Sequence, residues 1–286
     1  MLLDGPTVFV RGGRGWIGEG PTTRGEFAGG GAFREAADWW RATMNARRAT
    51  GQEGPIVAFA AFPFDAASPA GAILLVPASA RAVDDAWIGE QGGSGARRPH
   101  AALLPGAMTR GDYQAAVAAT SAAIRAGRLE KAVLARDVVA VPDEPVDLDA
   151  LIARLVAAHP GASVFCVDGL VGASPETLLA VHGGVATARV LAGTAGREEA
   201  EALLESDKDR REHALAVRSV VEALAPHVRA LQTTEPYVLE QPHLTHLATD
   251  VTAEVADGSD VLALVAALHP TAAVAGTPRA AALDLI

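Results

Sequence analysis

A chain of 286 residues, half of them hydrophobic, has ample material for a core and suits one large domain or two small ones. Its net charge of −10 argues against a nucleic-acid partner, because neutralising phosphates needs clustered Lys and Arg. The single cysteine, Cys166, excludes an internal disulfide, and no apolar run reaches the ~18 residues of a membrane span.

The amino terminus lacks a basic-then-apolar export pattern, so a reducing cytoplasm is the expected compartment. Abundant alanine favours helices and Val-rich runs demand strands, which predicts a mixed α+β fold. Gly13-Arg-Gly15-Trp-Ile-Gly18 matches G-x-G-x-x-G after the strand-like Thr7–Arg11. A dinucleotide site needs a helix opening at the last glycine, and Glu19-Gly-Pro21 opposes one. A glycine-rich strand connection is the better reading. Phe33–Arg48 has helical spacing, with Trp39, Trp40 and Met44 as expected core. Pro55–Phe62 and Ala72–Pro77 read as buried strands, and residues 88–111 as a surface connection.

Tyr113–Gly127 reads as a helix, and Leu129–Val141 as one long strand. Alternation then puts Lys131, Val133, Ala135 and Asp137 on one face. Such a lysine lies either at a wet strand end or in a pocket. Val146–His159 is helical, and Ser163–Asp168 is a strand with Cys166 in the core. In Gly172-Ala-Ser-Pro-Glu176, Pro175 fixes its own φ and pushes Ser174 out of the helical region. Glu176 therefore leaves a rigid, extended corner. On spacing alone, a carboxylate facing water is the simpler reading.

Thr177–His182 and Val185–Val190 flank a Gly-Gly turn and form a hairpin. Leu191–Arg197 reads as a loop whose small residues admit close approach of a ligand. Glu198–Leu204 is a short helix. The next helix begins at Ser206, a cap with Asp209 as its reciprocal partner. Its apolar stripe is Val217, Val220, Val221 and Leu224. His213 continues that stripe, and Glu212 borders it, ~100° round the helix. Spacing favours a solvated helix start here over a metal or substrate site. Tyr237–Val255 reads as a long strand interrupted at Pro242. His243 and His246, three apart on a strand, face opposite ways and should not share a metal. A structural role suits His243. Gly258–Leu268 is a helix, followed by a loop from His269 to Arg279.

Lys208-Asp-Arg-Arg-Glu-His213 resembles the signature helix of the chorismate-utilising enzymes, which include isochorismate, anthranilate, aminodeoxychorismate and salicylate synthases. Lys131–Arg136, Gly172–Glu176, Leu191–Thr194, Thr245–Thr249 and His269–Arg279 resemble further motifs of that family. The resemblance implies an α+β fold of the anthranilate synthase component I type, with large antiparallel sheets flanked by helices. Residues 1–108 would form a less typical part, and 109–286 the motif-bearing part of a single chorismate-binding domain.

Val274, with His269-Pro-Thr before it, leans within the family toward isochorismate synthase; the resemblance implies a Mg²⁺-dependent enzyme acting on chorismate, and a monomer is expected. The resemblance makes Lys131 the general base and Glu176 the general acid. Gly193, Thr194, His246 and Val274 would line the substrate site, and Glu212 would bind Mg²⁺. A lysine base working near neutrality must give up about 3 pKa units, roughly 4 kcal/mol, which an apolar strand face could supply by desolvation. A salicylate or anthranilate type, or a non-catalytic remnant, are the alternatives. Family members continue after Thr277-Pro278-Arg279 with further strands and a second metal-binding glutamate. The chain is thus expected to be truncated, with sheet edges and apolar area exposed.

Overall fold

The computed structural model describes residues 6–84, 87, 100–241 and 244–286. The strands in its first half are β1 (Thr7–Arg11), β2 (Arg14–Phe27), β3 (Phe59–Ala61), β4 (Ala72–Ala82), β5 (Ala101–Pro105), β6 (Lys131–Ala132) and β7 (Val138–Pro142). Then follow β8 (Ser163–Val167), β9 (Leu170–Ser174), β10 (Thr177–His182), β11 (Val185–Gly196), β12 (Val228–Thr233), β13 (Tyr237–Glu240), β14 (Leu244–Val255) and β15 (Gly276–Thr277). The helices are α1 (Ala32–Ala49), α2 (Arg110–Arg125), α3 (Leu148–Ala158), α4 (Ala200–Glu205), α5 (Asp207–Leu224), α6 (Val261–Leu268) and α7 (Arg279–Leu283). Antiparallel sheets with helices on them make the fold α+β, as expected. Among the described residues no helix is long and apolar enough to cross a membrane.

Chain contacts gather these elements into two units. The first takes the described residues of Met1–Arg97, Val146–Thr177 and Asp260–Ala266. Its six-stranded sheet has the order β3-β4-β2-β1-β8-β9 and is antiparallel at every pairing. Val8, Val10, Val164 and Cys166 point to one side of it and bury against Ile152 and Leu148 of α3. Cys166 is thus a core strand residue. The G-x-G-x-x-G run forms no helix. Gly13 sits in the β1–β2 turn, and the rest lies in β2, where a Cβ at Gly15 would come within 1.9 Å of the Phe9 carbonyl oxygen. The glycines serve close strand contact.

Helix α1 corrects the expected core. Its buried residues are Ala32, Ala36 and Ala37, while Trp39, Trp40 and Met44 are only half-buried. Small residues let the helix lie close to β2 and β4. Trp39 instead lies over Gly25, where a Cβ would come 2.9 Å from its ring, and it meets Phe27 edge-on at 6.0 Å. The expected strand at Pro55–Phe62 is short, confined to Phe59–Ala61.

The second unit takes Arg98–Pro145, Leu178–Ser259 and Ala267–Ile286, again in their described residues. Its main sheet runs β10-β11-β14-β12, with β13 also paired to β14. The hairpin of β10 and β11 turns at Gly183 and Gly184, both at positive φ (56° and 79°). Two short ribbons, β15–β6 and β5–β7, complete it. Residues 101–105, expected to be surface connection, are a strand of one of them.

Of the long strands expected in this unit, one is broken and the other, read as interrupted, is two paired strands. Leu129–Val141 splits into β6 and β7, because β6 pairs with β15 over only two residues and Asp137 turns its carboxylate to the Ala107 N–H at 2.8 Å. The shared face expected for Lys131 and Asp137 therefore does not form. Tyr237–Val255 folds back on itself as β13 and β14, with Glu240 opposite Thr245 and the Gln241 N–H donating to Leu244 O at 2.8 Å. His243 lies outside the described residues.

Candidate functional site

The ladder between β11 and β14 slips at one place. Leu191 lies opposite Ala248 and Thr194 opposite His246, so Ala192 and Gly193 share Leu247 between them. The segment expected to be a loop is thus a bulged continuation of β11. A bulge frees backbone groups from the ladder and re-aims side chains. Gly193 has φ +84°, and a Cβ there would stand 3.2 Å from Asp209 Cβ, so both conformation and space call for glycine. One residue on, Thr194 Oγ1 lies 2.9 Å from His246 Nδ1. Gly193, Thr194 and His246, far apart in sequence, meet here.

Helix α5 packs over this bulge. Ser206 caps it by accepting the Asp209 N–H at 3.2 Å. The reciprocal arm differs from expectation, since the Ser206 hydroxyl itself donates to the Asp209 carboxylate. The buried stripe is His213, Ala216, Val220 and Leu224, with His213 2% exposed, while the expected Val217 and Val221 are only half-buried. Its Nδ1 lies 3.1 Å from Ala192 O and its Nε2 2.8 Å from Thr249 Oγ1. A carbonyl only accepts, so Nδ1 carries the proton and Nε2 accepts from the threonine hydroxyl. Burial pushes the His213 pKa down; the Ala192 carbonyl opposes this, and the charge of Lys131 adds to it. Burial also pushes His246 down, opposed by a backbone bond to Gly193.

Lys131 is half-buried on β6, opposite Thr277 of β15. The Glu130 N–H donates to Thr277 O and the Val133 N–H to Ala275 O, each at 2.8 Å. The approach is tight, because a Cβ on Gly276 would stand 2.1 Å from Lys131 O. The loop from His269 to Arg279 is thereby fastened to the lysine strand. Val274 lies on it, 43% exposed, with its N–H on Thr271 O. Glu176 belongs to the first unit, half-buried at the corner between β9 and β10, its N–H 3.3 Å from Ser174 Oγ.

Glu212 is half-buried on α5, with Lys208 Nζ 3.4 Å from its Oε1. Among the described residues no three His, Cys, Asp or Glu groups gather closely enough to hold a metal. Mg²⁺ takes oxygen ligands, keeps several waters and is often held by one or two carboxylates. Glu212 offers an oxygen ligand of the type such an ion takes.

Sequence reasoning gave no role to His213 or Thr249, and it missed Arg189, Asp250 and Tyr237. A histidine continuing an apolar stripe was the available signal for the first. The other three form a cross-strand cluster. Arg189 donates from Nε and Nη2 to Asp250 at 2.6 and 3.1 Å, and the Tyr237 hydroxyl donates to Asp250 at 3.0 Å. Arg189 holds the Asp250 carboxyl below its ordinary range, while burial, then Asp250, push Tyr237 up. A cavity of about 600 Å³ lies along α5, bounded by Arg210, His213, Val217, Val221, Leu247 and Thr249 among others.

The family described as "Chorismate binding enzyme" matches residues 93–286. A curated relative from Pseudomonas aeruginosa, the salicylate biosynthesis isochorismate synthase, is 39% identical over 193 residues, covering 63% of this chain and 40% of its own length. DhbC from Bacillus anthracis, whose solved structure bears the name of a 2,3-dihydroxybenzoate-specific isochorismate synthase, superposes with a TM-score of 0.83 at 27% identity. That match covers 98% of this chain and 76% of DhbC. Anthranilate synthase component I from Streptococcus pneumoniae shares the fold, with a TM-score of 0.63 at 18% identity over 96% of this chain and 65% of its own. The chain spans between 40% and 65% of the length of the curated relatives it matches.

Proposed function

This chain belongs to the chorismate binding enzyme family, and from that premise we propose that it interconverts chorismate and isochorismate. The observation that carries the reading is the meeting of Gly193, Thr194 and His246 at one bulge beneath the helix that bears Glu212. The isochorismate synthases among its relatives support the same reaction. Water adds at C2 of the substrate ring and the C4 hydroxyl departs. Lys131 takes the proton from that water, and Glu176 gives one to the leaving hydroxyl. The charge of Lys131 reaches the buried His213, which puts the proposed base within electrostatic range of the helix that bears Glu212. Gly193, Thr194, His246 and the aliphatic Val274 line the substrate. Glu212 would hold Mg²⁺, whose charge would offset that of a substrate carboxylate. The protein works as a cytoplasmic monomer.

The test is to incubate the purified chain with chorismate and Mg²⁺ and separate the products. Isochorismate is expected, and a chelator should abolish it. Release of pyruvate would assign the chain instead to the salicylate or anthranilate type, and a folded chain that leaves chorismate intact would overturn the activity. Lys131→Ala and Glu176→Gln should each lower the rate by roughly 10²–10⁴ without unfolding the protein. Near-normal turnover in either removes that residue from its role.

A further inference from the structure

A bulge leaves a backbone carbonyl out of the ladder, and a buried carbonyl without a partner is costly. Here the carbonyl is that of Ala192, and its partner comes from another element: His213 Nδ1 at 3.1 Å. The ring cannot turn over to offer its other nitrogen, because Nε2 already takes the Thr249 hydroxyl at 2.8 Å. One residue beyond Gly193, the Thr194 hydroxyl lies 2.9 Å from His246 Nδ1. Two histidines, one from α5 and one from β14, thus meet this segment, one at the Ala192 carbonyl and one at the Thr194 hydroxyl.

The first hold has a geometric consequence. The Ala192–Gly193 peptide is not among the cis bonds, and in a trans peptide the N–H points opposite to the C=O. Drawing the Ala192 carbonyl to α5 aims the Gly193 N–H away from that helix. The left-handed φ of Gly193 then sets the direction of Thr194, whose hydroxyl meets His246. We propose that His213 is a positioning residue, which fixes the bulge through Ala192 and so sets how Gly193 and Thr194 meet the substrate. Its side chain, 2% exposed, acts through the Ala192 carbonyl. This rests on the chorismate reading for what the bulge binds, though the hold on the bulge stands apart from it.

The test compares His213→Asn, which keeps a donor near the place of Nδ1, with His213→Phe, which keeps bulk and loses the donor. Nitrogen-15 spectra of the whole chain should find His213 neutral with its proton on Nδ1. Amide exchange at Gly193 and Thr194 should speed up about tenfold or more in H213F and stay close to wild type in H213N. The KM for chorismate should follow the same order, rising about tenfold in H213F while kcat moves less. Thr249→Val, which frees Nε2, should fall between and carries the comparison with H213N if H213F does not fold. An Nε2–H tautomer, unchanged exchange in folded H213F, or H213N as impaired as H213F would each overturn the proposal. Should the wild-type chain leave chorismate untouched, the activity fails while tautomer and exchange still decide the role of His213.

Discussion

At the scale of single residues, the electrostatics of this protein turn on partners the chain brings together late. Asp250 sits opposite Arg189, 61 positions away, and also accepts the Tyr237 hydroxyl. Its pKa in the fold is depressed chiefly by the Arg189 hydrogen bonds. A depressed carboxyl favours folding at pH above its unfolded value, near ~3.9, and that contribution is lost as pH falls through the lower folded value. Both side chains are about one-third exposed, so solvent screens the pair and the net contribution is about 1 kcal/mol. Asp250→Asn should therefore be less stable than wild type at pH 7, with a gap that closes as urea midpoints are followed down to pH 2. A gap that persists at the acid end would mean the loss is one of packing. Such a pair is invisible in sequence, where Arg189 and Asp250 are unremarkable strand residues. Lys131, Glu176 and Glu212 could be singled out only through their motifs, since spacing alone favoured ordinary surface roles.

At the scale of elements, what could be read was what is decided locally. Helix α3 and helix α5 carry their own caps, Asp147 and Ser206, and their own apolar stripes, so their positions follow from neighbouring residues. The strands are decided by partners. The apolar run at 129–141 looked continuous, yet pairing with β15 broke it, while the run at 237–255, already read as interrupted, folds back as β13 on β14. The bulge in β11 has the same origin, with glycine as its one local mark. The β6–β15 contact is the most demanding of these pairings. Gly276→Ala would put a methyl 2.1 Å from Lys131 O and 2.7 Å from Ala282 Cβ, both fixed by their own elements. Neither can yield as a flexible side chain would, so the ribbon must open. The expected cost is more than about 2 kcal/mol by thermal or urea unfolding, in the range of an overpacked core. In whatever fraction stays folded, the amide of Val133, bonded to Ala275 O, should exchange faster. A substitution that leaves both stability and that amide unchanged would show that β6 is not held by this contact.

At the scale of the whole molecule, the ribbon of β5 and β7 stands out. Leu103 is 72% exposed and Leu104 51%, and Val138, Val139 and Val141 beside them are each more than two-fifths exposed. An isolated two-stranded ribbon is marginal, and exposed apolar side chains on both its faces, Leu104 and Val139 on one and Leu103 on the other, invite association. The net charge of −10 opposes association over long range, but salt screens it beyond about 10 Å at 0.1 M. Solubility should therefore fall as salt is added, with this ribbon as the point of contact. Leu104 and Val139 lie directly opposite one another, so the remedy can be built as a pair. Leu104→Lys with Val139→Glu keeps the net charge and adds a cross-strand ion pair worth about 0.2–1 kcal/mol. Light scattering against protein concentration at moderate salt should show association at markedly higher concentration in the double variant. The thermal midpoint should stay within a few degrees, because neither side chain contributes to a buried core. Scattering that is unchanged would clear the ribbon and turn attention to other exposed aliphatics, such as Leu170 on β9.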